Sequence, residues 1–211
     1  MKNVSVPEEP GPLRSPTVLA TALLFAVALL LVATPALAHE SVGAAGGFVS
    51  GFLHPLLGWD HVAAMVAVGL WGAFLGTPAI WLLPVVFPLV MAAGAALGIF
   101  GLPLPAVEVG IAASAVVLGV MVALAARPPL WIATVVVGAF AIFHGHAHGT
   151  ELPGSANPLT YALGFVIATG MLHLCGIVFS LLAQWNWGRT AVRTAGGTIA
   201  VAGIAFLVGV A

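Results

Sequence analysis

Long apolar stretches without a charged side chain constrain the fold of this chain more than any other feature. Several windows, such as 109–126 and 128–150, contain no Asp, Glu, Lys or Arg. Their lengths match the roughly 20 residues that an α-helix needs to cross about 30 Å of hydrocarbon. The pattern therefore predicts an all-α, polytopic membrane helical bundle.

The composition supports this class of protein. Hydrophobic residues make up 62% of the chain and charged residues 5%, whereas soluble domains carry about 25% charged residues. A formal net charge of −1 argues against nucleic acid or an anionic surface as a partner. The single cysteine, Cys175, excludes a disulfide within the chain and a metal site built from several cysteines.

The N-terminus has the order of features that is typical of a secretory signal peptide. Basic residues precede an apolar run over 18–32, and a small-x-small cleavage sequence ends at Ala38. We expect 1–38 to be a cleavable signal peptide and 39–211 to form a single transmembrane domain. That domain would begin at His39, outside the cytoplasm. An uncleaved first membrane helix is the alternative.

The number of membrane helices follows from the lengths of the apolar segments. The segment 41–77 is too long for one crossing. Because the residue before a proline disfavours helix, Pro55 marks the predicted break, and 41–54 is expected to be a short or re-entrant segment. Six transmembrane helices are then predicted, over about 55–75, 78–100, 105–126, 128–147, 158–184 and 190–211.

Basic residues orient these helices. With the mature N-terminus outside, the cytoplasmic connections contain Arg127, Arg189 and Arg193, which are all the basic residues of the predicted mature chain. Cytoplasmic loops normally carry such an excess of positive charge. The same orientation predicts a belt of tryptophans near the cytoplasmic interface, formed by Trp71, Trp81, Trp131, Trp185 and Trp187.

A short polar stretch, 54–61 (HPLLGWDH), lies at the outer end of the first helix. An ionisable side chain at the bilayer centre costs at least about 2.5 kcal/mol, so such residues are functional candidates. The imidazoles of His54 and His61 and the carboxylate of Asp60 form a ligand set for a divalent transition metal. The alternative is a capping histidine and an aspartate hydrogen-bonded to a neighbouring helix.

A second polar stretch, 143–151 (FHGHAHGTE), lies at the outer end of the fourth helix. His144 and His148 have the four-residue spacing that places two imidazoles on one metal ion, whereas His146 points to the other side. Glu151 would return to their face only if the helix continued, and the surrounding glycine and proline predict that it frays first. A histidine-rich outer loop that binds metal loosely is the alternative.

Three further residues complete the candidate metal site. Glu108, near the outer end of the third helix, would be a ligand, a carboxylate that orients an imidazole, or a proton carrier. His173, midway along the fifth helix, would receive an ion moving inward or hydrogen-bond a neighbouring helix. His39, if it is the mature N-terminus, would chelate through its amine and its ring.

At these residues the chain resembles the HupE/UreJ family of nickel/cobalt permeases. The resemblance rests on the N-terminal signal and on the stretches 54–61, 143–151 and 168–176 (ATGMLHLCG). It implies a bacterial inner-membrane protein that takes up Ni²⁺, or sometimes Co²⁺, for enzymes such as hydrogenase or urease. On this resemblance the metal-handling residues are His54, Asp60, His61, His144, His148 and Glu151, with the role of His146 open.

The expected function is that of a secondary permease in the lipid bilayer, with the metal ion as substrate and no resident cofactor. The residues alone predict only a divalent transition metal, since nitrogen and oxygen ligands suit Ni²⁺, Co²⁺, Cu²⁺ and Zn²⁺ alike. The chain carries no nucleotide-binding loop, so direct driving by ATP is not expected. A membrane-embedded zinc-dependent hydrolase and a metal sensor or accessory subunit are the alternatives. Assembly as a homo-oligomer is left open.

Overall fold

A computed structural model describes residues 44–152 and 157–209 of the chain. The signal peptide expected over 1–38 and the candidate ligand His39 lie outside the described residues. Both therefore stay predictions.

Helices account for most of the described residues, and no strand occurs among them, which confirms the prediction of an all-α fold. The seven α-helices of this part of the chain are α1 (Ala44–Leu57), α2 (Trp59–Leu75), α3 (Ala79–Ile99), α4 (Val107–Ala123), α5 (Leu130–Thr150), α6 (Pro158–Ser180) and α7 (Asn186–Leu207). A short 3₁₀ helix, Leu181–Gln184, joins α6 to α7.

Most of these helices have the length and apolar character of membrane spans. Four of them (α3, α5, α6 and α7) are long and apolar enough to cross a membrane, and the bent pair of α1 and α2 would count as a fifth, broken span. Helix α4 has 17 residues, or about 25 Å at 1.5 Å per residue, against about 30 Å of hydrocarbon. The chain is a multi-pass membrane protein, and the expected count of six spans stays a prediction.

The break between α1 and α2 lies at Gly58 and not at Pro55, so that part of the prediction was wrong. The two helix axes differ by 79°, and Gly58 is in an extended conformation (φ −86°, ψ 106°). Pro55 lies in the last turn of α1, where its missing N–H removes one hydrogen bond without ending the helix. Glycine suits the bend because a Cβ there would lie 2.9 Å from Nδ1 of His61 and 3.0 Å from Oδ1 of Asp60.

Helix α2 lies at the centre of the packing. It contacts α3, α4, α6 and α7, and its Met65, Val68 and Leu70 side chains are fully buried. Helix α3 packs along α5, and α4 packs along α7. The first of these contacts is close enough that a Cβ on Gly145 would collide with the carbonyl oxygen of Met91. Small residues at membrane helix interfaces allow such approaches.

The tryptophans of the predicted belt differ in exposure. Trp71 is fully buried, and its indole N–H donates to the carbonyl of Ala126 at 2.9 Å. The position of Trp71 along its helix predicts a depth in the membrane but not the direction of its side chain. Trp81, Trp131 and Trp187 are mostly exposed, as expected of residues at a lipid–water interface.

Basic residues and histidines lie at opposite ends of the helices. Arg193, near the start of α7, donates from Nε to the carbonyl of Ala123 at the end of α4 (2.7 Å). His61 lies at the start of α2, and His148 lies in the last turn of α5. Which of these two ends faces the cytoplasm stays a prediction from charge.

Candidate metal centre

Three imidazoles from three helices meet at one end of the bundle. His54 lies in the last turn of α1, His61 in the first turn of α2 and His148 in the last turn of α5. One ring nitrogen of each lies within 4.8 Å of those of the other two. His61 and His148 are buried, and His54 is partly exposed. We call this group the three-histidine cluster.

The bend at Gly58 brings two of these rings together. On a continuous helix, residues seven apart would be separated by about 10 Å along the axis. The ring centroids of His54 and His61 are instead 6.0 Å apart. The ring of His148 contacts both, with its centroid 4.8 Å from that of His54 and 4.7 Å from that of His61.

Asp60 orients the ring of His61. Its Oδ1 lies 2.7 Å from Nδ1 of His61 and also accepts the backbone N–H of His61 at 2.8 Å. When Nδ1–H donates to this carboxylate, Nε2 is left unprotonated, which is the form that binds a metal ion. Nε2 is buried and has no hydrogen-bond partner among the described residues, so it is free to act as a ligand.

Helix α5 continues further than the sequence indicated, and this brings Glu151 to the cluster. The hydroxyl of Thr150 donates to the carbonyl of Ala147 at 2.8 Å, and the N–H of Glu151 donates to the same carbonyl at 2.9 Å. The predicted fraying before Glu151 was therefore wrong. Oε2 of Glu151 lies 3.3 Å from Nε2 of His54. Partial burial raises the pKa of the Glu151 carboxyl above its usual value.

A fourth imidazole, that of His144, lies one turn deeper on α5. Its centroid is 5.1 Å from that of His61, and the side chain is fully buried. Nδ1 lies 3.0 Å from the carbonyl oxygen of Phe140. Within the part of the chain that the structure describes, Nε2 of His144 and both ring nitrogens of His148 have no hydrogen-bond partner. Unpaired buried polar groups cost about 1–3 kcal/mol each, a cost that a bound cation would remove.

The remaining candidate residues are not members of the three-histidine cluster. Nε2 of His146 lies 2.8 Å from the carbonyl oxygen of Leu102, in the connection between α3 and α4, so this ring points to the other side of α5 as predicted. Glu108 is exposed in the first turn of α4. His173 is buried further along α6. Metal binding by these three residues stays a prediction.

Two aromatic side chains lie against the cluster, and they were not predicted from the sequence. The ring centroid of Phe165 is 4.1 Å from that of His148, and the ring centroid of Tyr161 is 6.2 Å from that of His54. In a chain this rich in apolar residues, the presence of an aromatic residue does not by itself indicate a functional site. The one available signal was the four-residue spacing that places Tyr161 and Phe165 on one face of α6.

The arrangement suits a divalent transition metal. Imidazole nitrogens are good ligands for nickel, copper, zinc and iron. Three protein ligands leave coordination positions open for water or for a further side chain. An ion held in this way can be passed on as well as bound, which a transport site requires.

Similarity to known proteins covers the same part of the chain. The family model described as HupE / UreJ protein matches residues 27–206. Protein HupE of Rhizobium leguminosarum bv. viciae is 46% identical over 182 residues, which are 86% of this chain and 95% of that protein. No solved structure matches the chain. The family match and the extent of the identity together place this chain in the HupE/UreJ family.

Proposed function

We propose that this protein is a secondary membrane permease that takes up a divalent transition metal, Ni²⁺ or Co²⁺, from the periplasmic side. The observation that carries the proposal is the three-histidine cluster, whose ligand atoms lie within 4.8 Å of one another at one end of an apolar bundle. Membership of the HupE/UreJ family supports a nickel/cobalt transport-related role.

Each residue of the site has a distinct part in ion capture. The three imidazoles of the cluster bind the entering ion through nitrogen. Asp60 holds His61 in the tautomer that presents Nε2. Glu151, beside His54, adds negative charge near the bound cation. His144 takes the ion next, since its free Nε2 lies one turn deeper than the cluster.

The site faces the periplasm of a bacterial inner membrane in this proposal. Arg127, Arg189 and Arg193 lie at helix ends away from the histidines, and the positive-inside rule assigns such residues to the cytoplasm. Removal of a signal peptide over 1–38 would leave the transport domain, 39–211, with its N-terminus outside. Six spans then follow if α2 and α4 each cross a locally thinned bilayer.

Uptake in this direction needs neither ATP nor a resident cofactor. Two positive charges moving through 100 mV gain about 4.6 kcal/mol from the membrane potential. The metal ion is the substrate, and Asp60 or Glu108 could exchange a proton for it. The ligands of the cluster all come from one chain, so a homo-oligomer is compatible with the site but is not required by it.

Ion entry into proteoliposomes tests this function. We expect purified protein to give saturable entry of Ni²⁺ and Co²⁺, read by a dye inside the vesicles, that increases with an inside-negative potential. Protein-free vesicles provide the control. The same imidazoles could hold a catalytic zinc ion. Stoichiometric zinc retained through purification, with ester or amide hydrolysis and no ion entry, would assign the protein as a hydrolase instead.

A further inference from the structure

A line of buried side chains continues inward from the cluster along α6. Phe165, Thr169 and His173 recur every four residues and are all buried, so they share a face of the helix. Phe165 contacts His148. His173 lies eight residues, or about 12 Å, further along the helix axis. This face of α6 therefore connects the cluster with the interior of the bundle.

Two polar groups on this face have no hydrogen-bond partner among the described residues. They are the ring of His173, which is 1% exposed, and the hydroxyl of Thr169, which is fully buried. Three other helical threonines (Thr134, Thr150 and Thr198) donate to a carbonyl of their own helix, a bond that a hydroxyl in a helix can make, whereas Thr169 is buried without one. Two unpaired polar groups one turn apart indicate a position for a polar ligand.

Helix α3 supplies a third polar group at this level. Pro88 has no N–H, so the carbonyl of Pro84, four residues earlier, lacks its normal helical partner. This carbonyl comes close to the ring of His173, outside normal hydrogen-bond geometry. An imidazole, a hydroxyl and a freed carbonyl together can hold a partly dehydrated divalent cation. Carbonyls freed by helix breaks coordinate cations in transporters.

The ring of Phe87 separates this inner group from the outer imidazoles. Its centroid is 5.4 Å from that of His144 and 5.4 Å from that of His173, with an edge-to-face arrangement at each. Phe87 is fully buried. His144 in turn contacts His61 of the cluster. An apolar ring between two imidazoles offers no ligand atom and excludes water, which is how hydrophobic constrictions close a pore.

We propose that the protein has a second, inner ion-binding position formed by His173, Thr169 and the carbonyl of Pro84, and that Phe87 is the barrier an ion crosses to reach it. This inference deepens the proposed function and rests on it for the identity of the ion. The inner position has one imidazole where the outer cluster has three. It therefore binds the ion more weakly and favours its release toward the cytoplasm.

Thiol labelling tests the barrier without depending on metal transport. His173→Cys is combined with Cys175→Ser, so that the introduced thiol is the only one in the chain. A membrane-impermeant, positively charged methanethiosulfonate is then added from the side that bears the cluster. Adding Phe87→Ala should speed labelling roughly tenfold or more, because the hydrophobic barrier is removed. Phe87→Leu keeps an apolar side chain and should label slowly.

Leu118→Ala is the matched control for this labelling. It removes an equally buried side chain from α4, a helix without histidines, and should leave the labelling rate unchanged. Equal labelling rates with Phe87 and with Phe87→Ala would overturn the barrier. If Phe87→Ala does not fold, fast labelling of the thiol at position 173 in the protein with Phe87 intact would also show that Phe87 is not a barrier.

Ion flux tests the inner position itself. We expect His173→Ala and Thr169→Val to leave Ni²⁺ binding at the outer cluster unchanged. Ni²⁺ entry into proteoliposomes should fall roughly tenfold for His173→Ala and by a smaller factor for Thr169→Val. Entry at the wild-type rate in both variants would refute the inner position. Wild-type protein that moves no Ni²⁺ would instead remove the proposed function, and thiol labelling would still decide whether Phe87 is a barrier.

Discussion

Nδ1 of His61 lies 2.7 Å from Oδ1 of Asp60, and this pairing leaves Nε2 as the ring nitrogen of His61 that is available to a metal ion. With Nδ1 engaged, Nε2 is the nitrogen left to bind an ion together with His54 and His148, and it is buried without a hydrogen-bond partner among the described residues. Both members of the pair lie in the first turn of α2, directly after the bend at Gly58. The backbone break and the orientation of a proposed ligand are thus set within four residues.

Asp60→Asn should weaken Ni²⁺ binding by about 10- to 100-fold, the usual effect of losing a carboxylate that orients a ligating imidazole. An asparagine amide no longer selects the tautomer with hydrogen on Nδ1. The measurement is calorimetric titration of the purified protein with Ni²⁺. Binding at wild-type affinity would show that the carboxylate does not orient His61.

Gly58→Ala should lower Ni²⁺ affinity while the helices remain intact. The added Cβ would lie 2.9 Å from Nδ1 of His61 and 3.0 Å from Oδ1 of Asp60, so the pair must shift. Disturbing a carboxylate that orients a ligating imidazole costs about 10- to 100-fold in metal affinity. Gly170→Ala in α6 is the matched control, since its Cβ would meet no atom within 4 Å. Equal affinities of the two variants would contradict this role of Gly58.

The sequence predicted which stretches of the chain come together better than it predicted their local geometry. The stretches 54–61 and 143–151 meet because antiparallel helices place their outer ends at one level, which residue counting can predict. The bend at Gly58 could not be predicted, since Pro55 is the stronger local signal and the advantage of glycine depends on side chains that fold back over it. The extension of α5 to Thr150 likewise runs against the local helix-breaking signal of Gly149.

The sequence also could not predict the direction in which buried aromatic side chains point. Trp71 and Phe87 are both fully buried, yet the helical turns around each of them are apolar on every face. Hydrophobic periodicity identifies a buried face only when another face is polar. The sequence of a membrane helix therefore shows where an aromatic residue lies in depth but not which neighbour it contacts.

Ni²⁺ binding should weaken as the pH falls, because protons compete for the ligating imidazoles. Partial burial raises the pKa of Glu151, so this carboxyl takes up a proton at a higher pH than an exposed glutamate does. Its charge beside His54 favours a bound cation above that raised pKa and is lost below it. Glu151→Gln should therefore bind Ni²⁺ more weakly at neutral pH and show a shallower loss of affinity on acidification.

Affinity measured at several values between about pH 5 and 8, where histidine titrates, checks this dependence. Wild type and Glu151→Gln are compared at each value. Parallel profiles for the two proteins would mean that Glu151 does not contribute charge to the site.

Gly145→Ala should destabilise the bundle by about 1–3 kcal/mol, because the added Cβ would collide with the backbone of Met91 and force α5 away from α3. Gly197→Ala in α7 is the control, since its Cβ would meet no atom within 4 Å. Thermal unfolding in detergent, followed by tryptophan fluorescence, gives the difference in Tm. Equal values of Tm would show that α3 and α5 are less closely packed than described.

The most direct test of the metal site compares two histidines that lie two residues apart on α5. His148 belongs to the three-histidine cluster, whereas Nε2 of His146 lies 2.8 Å from the carbonyl oxygen of Leu102. In proteoliposomes, His148→Ala should lose saturable Ni²⁺ entry, while His146→Ala should retain most of it. Loss of entry in His146→Ala with normal entry in His148→Ala would contradict transport through this cluster.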